Sequence, residues 1–273
     1  MSSQPQYVST NEALSQRYYN VLLGSFIAAT CFLRRFSLFF LKAPQTPLRV
    51  LCIMAFDTLH VLTKSNPMST FKVDLLASIL DFAAAVNSDL DCKAFDSDAY
   101  RANRSQIDSA GFGAVVDDFL HRLREIESRG QQIVKGSHAC DNARVYRESV
   151  VRLNLALLAV IVFDLQCLND GMSCTYDQSF EILFKSIMQM QIIDDIIDYR
   201  DDVCAGLPGF LTVSELQTAL PKTAQAWQTY RSYDQGTVSE VYGPFRFSLA
   251  CTSVITKAAI QFAKWKYLPK AKR

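Results

Sequence analysis

The sequence predicts an all-α protein: a single-domain helical bundle around a central apolar cavity. Three observations predict it. The 10 glycines and 8 prolines cluster between long apolar-periodic runs, as helix punctuation does. No alternating apolar–polar stretch of useful strand length appears. With 49% hydrophobic residues in 273, the chain can bury a sizeable core in helix-on-helix layers. A net charge of +1 gives no field for nucleic acid or another acidic polymer.

Taken in order, the periodicity predicts helices near 12–42, 47–64, 70–92, 109–128, 141–168, 176–204, 213–232 and 244–267. Pro44 and Pro47 separate the first two, and Ser65-Asn66-Pro67 the next two. The stretch Lys93–Tyr100 reads as a loop, Gly130 and Gly136 flank a polar connector, and Asn169-Asp170-Gly171 ends the fifth helix. Gly206-Leu-Pro208-Gly209 stops the sixth as a C-cap glycine followed by proline. The domain reading is a flexible N-terminus over 1–12, the bundle over 13–268 and a basic tail over 269–273. Lys264, Lys266, Lys270, Lys272 and Arg273 read as a solvated end.

The polar opening carries no signal-peptide pattern, and Val21–Leu33 is too short to span a bilayer before Arg34-Arg35 interrupts it. The 8 cysteines are scattered without a CxxC pair and read as small buried hydrophobes in a reducing, cytoplasmic setting.

The chemistry concentrates in residues 191–202, Gln-Ile-Ile-Asp-Asp-Ile-Ile-Asp-Tyr-Arg-Asp-Asp. At roughly 100° per residue, Asp194, Asp195, Asp198, Asp201 and Asp202 fall within a sector of about 120°. Ile192, Ile193, Ile196 and Ile197 cover the opposite side. Such a helix is expected to be buried, and buried carboxylates demand positive partners. Hard divalent cations with oxygen ligands, Mg²⁺ bridging to a phosphate above all, are the natural candidates.

A second, weaker polar stripe closes the helix 70–92, where Asp81, Asn87, Ser88 and Asp91 share a sector of about 120° and Asp89 points away. Ala83, Ala84 and Ala85 leave room for a ligand body beside it. The bland alternative is an ordinary polar helix terminus. Arg144, Arg147 and Arg152 lie in the first half of the helix 141–168, and Arg101 and Arg104 follow the second stripe. Arginine grips phosphate bidentately and stays charged when buried. The alternative for these is local pairing, Arg152 with Glu148 or Arg101 with Asp98. His60, His121 and His138 are too dispersed for a zinc site.

These residues resemble the class I isoprenoid synthase superfamily: trans-prenyltransferases, squalene and phytoene synthases, and terpene cyclases. Met190–Asp198 is similar to the second aspartate-rich motif of prenyltransferases, FQxxDDxxD, and is in register with the cyclase pattern NDxxSxxxE. Asn87-Ser88-x-x-Asp91 resembles a degraded first motif, DDxxD. The resemblance implies that Asp194, Asp198 and Asp202, with Asp195, Asp91 and Asn87, hold two or three Mg²⁺ ions, with Mn²⁺ as a substitute. It implies that Arg147 senses diphosphate, that Arg152, Arg104, Arg144, Gln191, Tyr199 and Arg200 belong to the substrate set, and that Phe82 and Phe163, with Phe56 and Phe184, line the prenyl pocket, the alternative for these four being simple core packing. The implied activity is ionisation of an allylic diphosphate (geranyl, farnesyl or geranylgeranyl) followed by cyclisation. No GKxxR-like segment appears near the start, which moves weight away from chain elongation. A prenyltransferase using a second acceptor and a non-catalytic partner subunit are the alternatives, and a homodimer is consistent with the superfamily.

Overall fold

Apolar periodicity becomes helix nearly wherever the spacing requires it. A computed structural model describes residues 47–64, 66–90, 97–133, 138–232 and 243–268. Among them are ten helices and no strand: α1 (Pro47–Lys64), α2 (Thr70–Leu90), α3 (Ser97–Ser109), α4 (Gly113–Gln131), α5 (Ala139–Phe163), α6 (Leu168–Cys174), α7 (Gln178–Ile197), α8 (Tyr199–Ala205), α9 (Leu216–Arg231) and α10 (Gly243–Tyr267). The helix expected over 12–42, the terminus 1–12 and the tail 269–273 lie outside the described residues.

The chain divides into two compact units, Met1–Pro67 with Asp234–Phe247, and Met68–Tyr233 with Ser248–Arg273. In the first, α1 buries Ile53, Phe56 and Leu59 together with Asp57 and His60. His60 closes the end of its own helix, with Nδ1 donating to the Asn66 carbonyl at 2.7 Å. It serves the turn rather than a metal.

In the second unit α5 is the hub, packed against α2, α4, α6, α7 and α9. Its C-terminal half, Leu155–Val162, is buried without interruption, which accounts for the all-round apolar sequence. The helix predicted over 141–168 stops earlier, because Asp164 takes a left-handed conformation, φ 55°. Aspartate is among the few residues that tolerate it. Lys72 of α2 holds the corner, donating to the Val162 carbonyl at 2.9 Å and to the Asp164 carboxylate at 2.6 Å. A cation there also complements the helix dipole.

The chain then turns through 104° into α6. Asn169, Asp170 and Gly171 therefore belong to a short helix rather than ending the long one. Gly171 is where the two helices touch: a Cβ at that position would strike the Ala156 carbonyl and sit 2.9 Å from Val160 Cγ2. A further difference is α3, which begins inside the loop expected over Lys93–Tyr100 and fills the stretch before the helix expected from 109; it is polar, with Ile107 its one buried residue. None of the six free cysteines described, at 52, 140, 167, 174, 204 and 251, is fully buried, and three are exposed. That corrects their reading as core hydrophobes.

Gly171→Ala is expected to lower stability by about 2 kcal/mol, since overpacking at a backbone contact cannot be relieved by a rotamer change. Thermal denaturation followed by circular dichroism checks it, and an unchanged midpoint would contradict the α5–α6 contact.

Candidate functional site

The acidic segment is not one helix. Asp198 ends α7 and caps α8, with φ −89° and ψ 5°. The hydrogen-bond ladder continues across this corner, from Asp198 N–H to the Asp194 carbonyl and from Asp202 N–H to the Asp198 carbonyl, each 2.9 Å. The predicted stop is present: Gly206 is left-handed at φ +68°, and Leu207 N–H returns to the Asp202 carbonyl at 3.0 Å. That is a glycine C-cap. Thr212 then folds the next turn, its Oγ1 donating to the Leu207 carbonyl at 2.6 Å and accepting Gly209 N–H at 2.8 Å. The turn delivers Gly209, Phe210 and Leu211 into the interior.

The five carboxylates do not share one buried sector. Asp195 is 2% exposed and Asp202 9%, whereas Asp194 and Asp201 face solvent and Asp198 is half-buried. On the opposite side Ile192 and Ile196 are buried, but Ile197 is 69% exposed. The 120° arc straddles the protein surface instead of lying beneath it.

The buried acid has its positive partner, and it is an arginine. Arg147 Nη2, on α5, donates to Asp195 Oδ1 at 2.8 Å, and Phe210 N–H donates to Asp195 Oδ2 at 2.5 Å. Three segments remote in sequence meet on one carboxylate. Gly209 is required here, because a Cβ would come within 2.5 Å of Asp195 Oδ2 and 3.4 Å of Arg147 Nη2. Burial pushes the Asp195 carboxyl above the ordinary carboxylate range, although Arg147 and the Phe210 N–H both pull the other way. Burial likewise works against the charge on Arg147, but Asp195 first, then Tyr146, Asp202 and Glu127, together outweigh it and hold the guanidinium protonated. The Nε–H of Arg147 is buried with no acceptor.

The other arginines are engaged elsewhere. Arg144 pairs with Glu148 at 2.8 Å, and Glu148 also accepts the Tyr230 hydroxyl at 2.6 Å. Burial and the Glu148 carboxylate push that phenol far above its ordinary value. Arg152 pairs with Glu181 at 3.0 Å rather than with Glu148, donates to the Thr175 carbonyl, and lies 3.8 Å from the Phe184 ring centre. Arg104 bridges Asp108 and Asp117 at the surface, and Arg101 pairs with Asp98. Arg104 and Arg152 therefore do not converge with Arg147, and the local-pairing alternative holds for Arg101, Arg104 and Arg144. Arg200 is exposed and Gln191 half-buried. Tyr199 stacks at 5.0 Å on Tyr267.

In the weaker stripe Asn87 is exposed and Ser88 donates to the Ala84 carbonyl. Asp91 lies outside the described residues. Phe82 and Phe184 are buried; Phe82 packs on Tyr100, and Phe163 and Phe184 meet Phe180 and Tyr230 edge-on. Phe82 and Phe184 take their places in the buried core, while Phe163 is half-buried. Among the described residues, clefts of about 650, 300 and 340 Å³ open, and none is lined by Arg147 or by any residue of 191–202. The expected hollow behind the acids is not among them.

Nor do the side chains fit a magnesium cluster as they stand. Among the described residues no three His, Cys, Asp or Glu side chains converge on one point. Asp195, moreover, is engaged by Arg147 and the Phe210 N–H. What the sequence reading missed was the counterpart: Gly209 and Phe210, legible only as a helix stop, and Glu181, the partner of Arg152.

No family model matches the chain, and no solved structure matches it. Among curated proteins, a 6-methylsalicylic acid synthase of Penicillium patulum is 28% identical over 115 residues, covering 38% of this chain. The alignment spans about 6% of that synthase's length.

Removing the arginine should leave a buried, unpaired carboxylate. Arg147→Met is expected to cost about 3 kcal/mol near pH 7. The raised Asp195 fixes the sign of the pH effect. Its contribution to stability is fully present below the ordinary carboxylate range and is lost as pH rises through the raised folded value. The penalty in the variant should therefore shrink at lower pH, as Asp195, raised by burial and no longer opposed by the guanidinium, takes up a proton. Urea titrations at neutral and lower pH check this, and a pH-independent penalty would contradict it.

Proposed function

We propose that this chain acts on an allylic prenyl diphosphate, ionising it and directing the resulting cation to cyclise or rearrange, in the manner of a class I isoprenoid synthase. One observation carries the reading. Asp194, Asp198 and Asp202 follow one another along α7 and α8 at the spacing of the aspartate-rich motif, and Arg147 approaches the same segment from α5. The all-α fold is compatible with it. Arg147 supplies the anion contact in this reading: its buried Nε–H lacks an acceptor, which a diphosphate oxygen would provide. Magnesium supports the superfamily's chemistry by neutralising the leaving diphosphate. The acids as arranged do not form its cluster, so no step is assigned to the ion here.

A second reading is favoured by that same arrangement. The Asp195–Arg147 pair, joined by the Phe210 N–H, fastens α5, α7 and the turn after α8 together. A chain that uses the motif as a fastening would be a non-catalytic member serving as a partner subunit.

Purified protein incubated with magnesium and geranyl, farnesyl or geranylgeranyl diphosphate separates the two. Diphosphate release with a hydrocarbon or alcohol product supports the enzyme, and none with any substrate supports the subunit. In this reading Asp194 would hold magnesium against the leaving group, so Asp194→Ala should reduce release at least about a hundredfold, the scale of removing one electrostatic stabiliser, while the far-ultraviolet circular dichroism keeps its helical form. Undiminished turnover in that variant would remove Asp194 from the chemistry.

A further inference from the structure

The last helix, α10, has two apolar faces, and one of them is largely exposed. Over Ser248–Tyr267 the buried side is formed by Leu249, Thr252, Thr256, Ile260 and Ala263. About 180° around the helix from their centre stand Cys251, Val254, Ile255, Ala258, Phe262 and Trp265. Val254 is 70% exposed, Ile255 57%, Phe262 49% and Trp265 61%. Isolated exposed apolar residues need no explanation, but a continuous ridge running over four turns of one helix does. Phe262 and Trp265 pack on each other across it, ring centres 6.0 Å apart.

The flanks of the ridge decide what it meets. Lys257 and Lys264 lie along one side and Lys266 along the other, with Lys266 Nζ 5.4 Å from the Phe262 ring centre. Arg246 precedes them, and α10 contains no aspartate or glutamate. Lys270, Lys272 and Arg273 continue the sequence with the same sign. Aromatic and branched apolar side chains between rows of lysine are the composition of a helix lying in a lipid interface. Tryptophan favours that depth, and lysine stems reach from it to the headgroups. A second copy of the chain is a poorer occupant. A two-fold axis on this ridge would lay lysine rows beside lysine rows, with no acid on the helix to answer them.

We propose that this face of α10 seats the protein peripherally on an anionic lipid surface, the ridge entering the acyl boundary and the lysines meeting the headgroups. This does not depend on the diphosphate reading. No helix among the described residues is long and apolar enough to span a bilayer alone, so the attachment lies in the membrane plane and is reversible.

Co-sedimentation of the full chain with vesicles tests it, using phosphatidylcholine alone and phosphatidylcholine with about one-third phosphatidylserine. The wild type should partition at least about tenfold better onto the anionic vesicles, and raised salt should weaken the binding. Val254→Ser with Trp265→Ser keeps every positive charge and removes part of the ridge, and Lys257→Glu with Lys266→Glu does the reverse. Each pair should reduce anionic-vesicle binding by about tenfold or more while sedimentation velocity and circular dichroism show the folded chain retained. Failure of the wild type to bind anionic vesicles would overturn the proposal, as would wild-type binding by the serine pair. Sedimentation velocity supplies the remaining outcome: a wild-type dimer that the serine pair converts to monomer would make a second copy the occupant and overturn the lipid assignment.

Discussion

The second unit is organised around one buried charge pair. A carboxylate as enclosed as Asp195 survives only because a guanidinium and a backbone N–H each answer one of its oxygens. The three donors and acceptors come from α5, from the last turn of α7 and from the segment after α8. Neither the α5 register nor the 207–212 turn can shift by a residue without orphaning a charge. Gly209 is the steric condition of that meeting, and Gly206 and Thr212 set the turn that brings Gly209 there. Such pairs add little net stability over apolar substitutes, but they impose a heavy penalty on misalignment. Here the pair specifies geometry more than it stabilises.

Much of the fold was legible because apolar spacing is a statement about which side of a helix is wet. The helices α1, α2, α9 and α10 fall within a few residues of their expected limits. The failures have physical causes. Ser97–Ser109 has a polar sequence with Ile107 as its one buried residue, so periodicity had almost nothing to register. The long helix was extended past Phe163 because its stop is an aspartate in a conformation usually left to glycine. The break at Asp198 carries no glycine or proline at all.

The candidate site was legible as a list and illegible as a depth. Angular arithmetic correctly groups five aspartates on one arc, but the same arc can lie under the surface or across it, and here it crosses. Two of the five are interior and the rest meet water to different degrees. Arginine behaves similarly. The sequence identifies Arg144, Arg147 and Arg152 as neighbours on one helix, yet each turns to a different acid, Glu148 on α5 itself and Asp195 and Glu181 from opposite ends of α7. Partner identity is a tertiary property and has no signature in spacing.

The apolar run that ends at Asp164 has a wider consequence. Taken together, Ala139–Phe163 and Leu168–Cys174 pass, on length and composition, the conditions for a stretch that could enter a bilayer as a broken span. In the fold that stretch is interior instead: Leu155–Val162 are buried without a break and α2, α4, α7 and α9 pack around them. The same greasy run is thus satisfied by neighbouring helices, and any change that strips one of them away would hand it back to solvent or lipid.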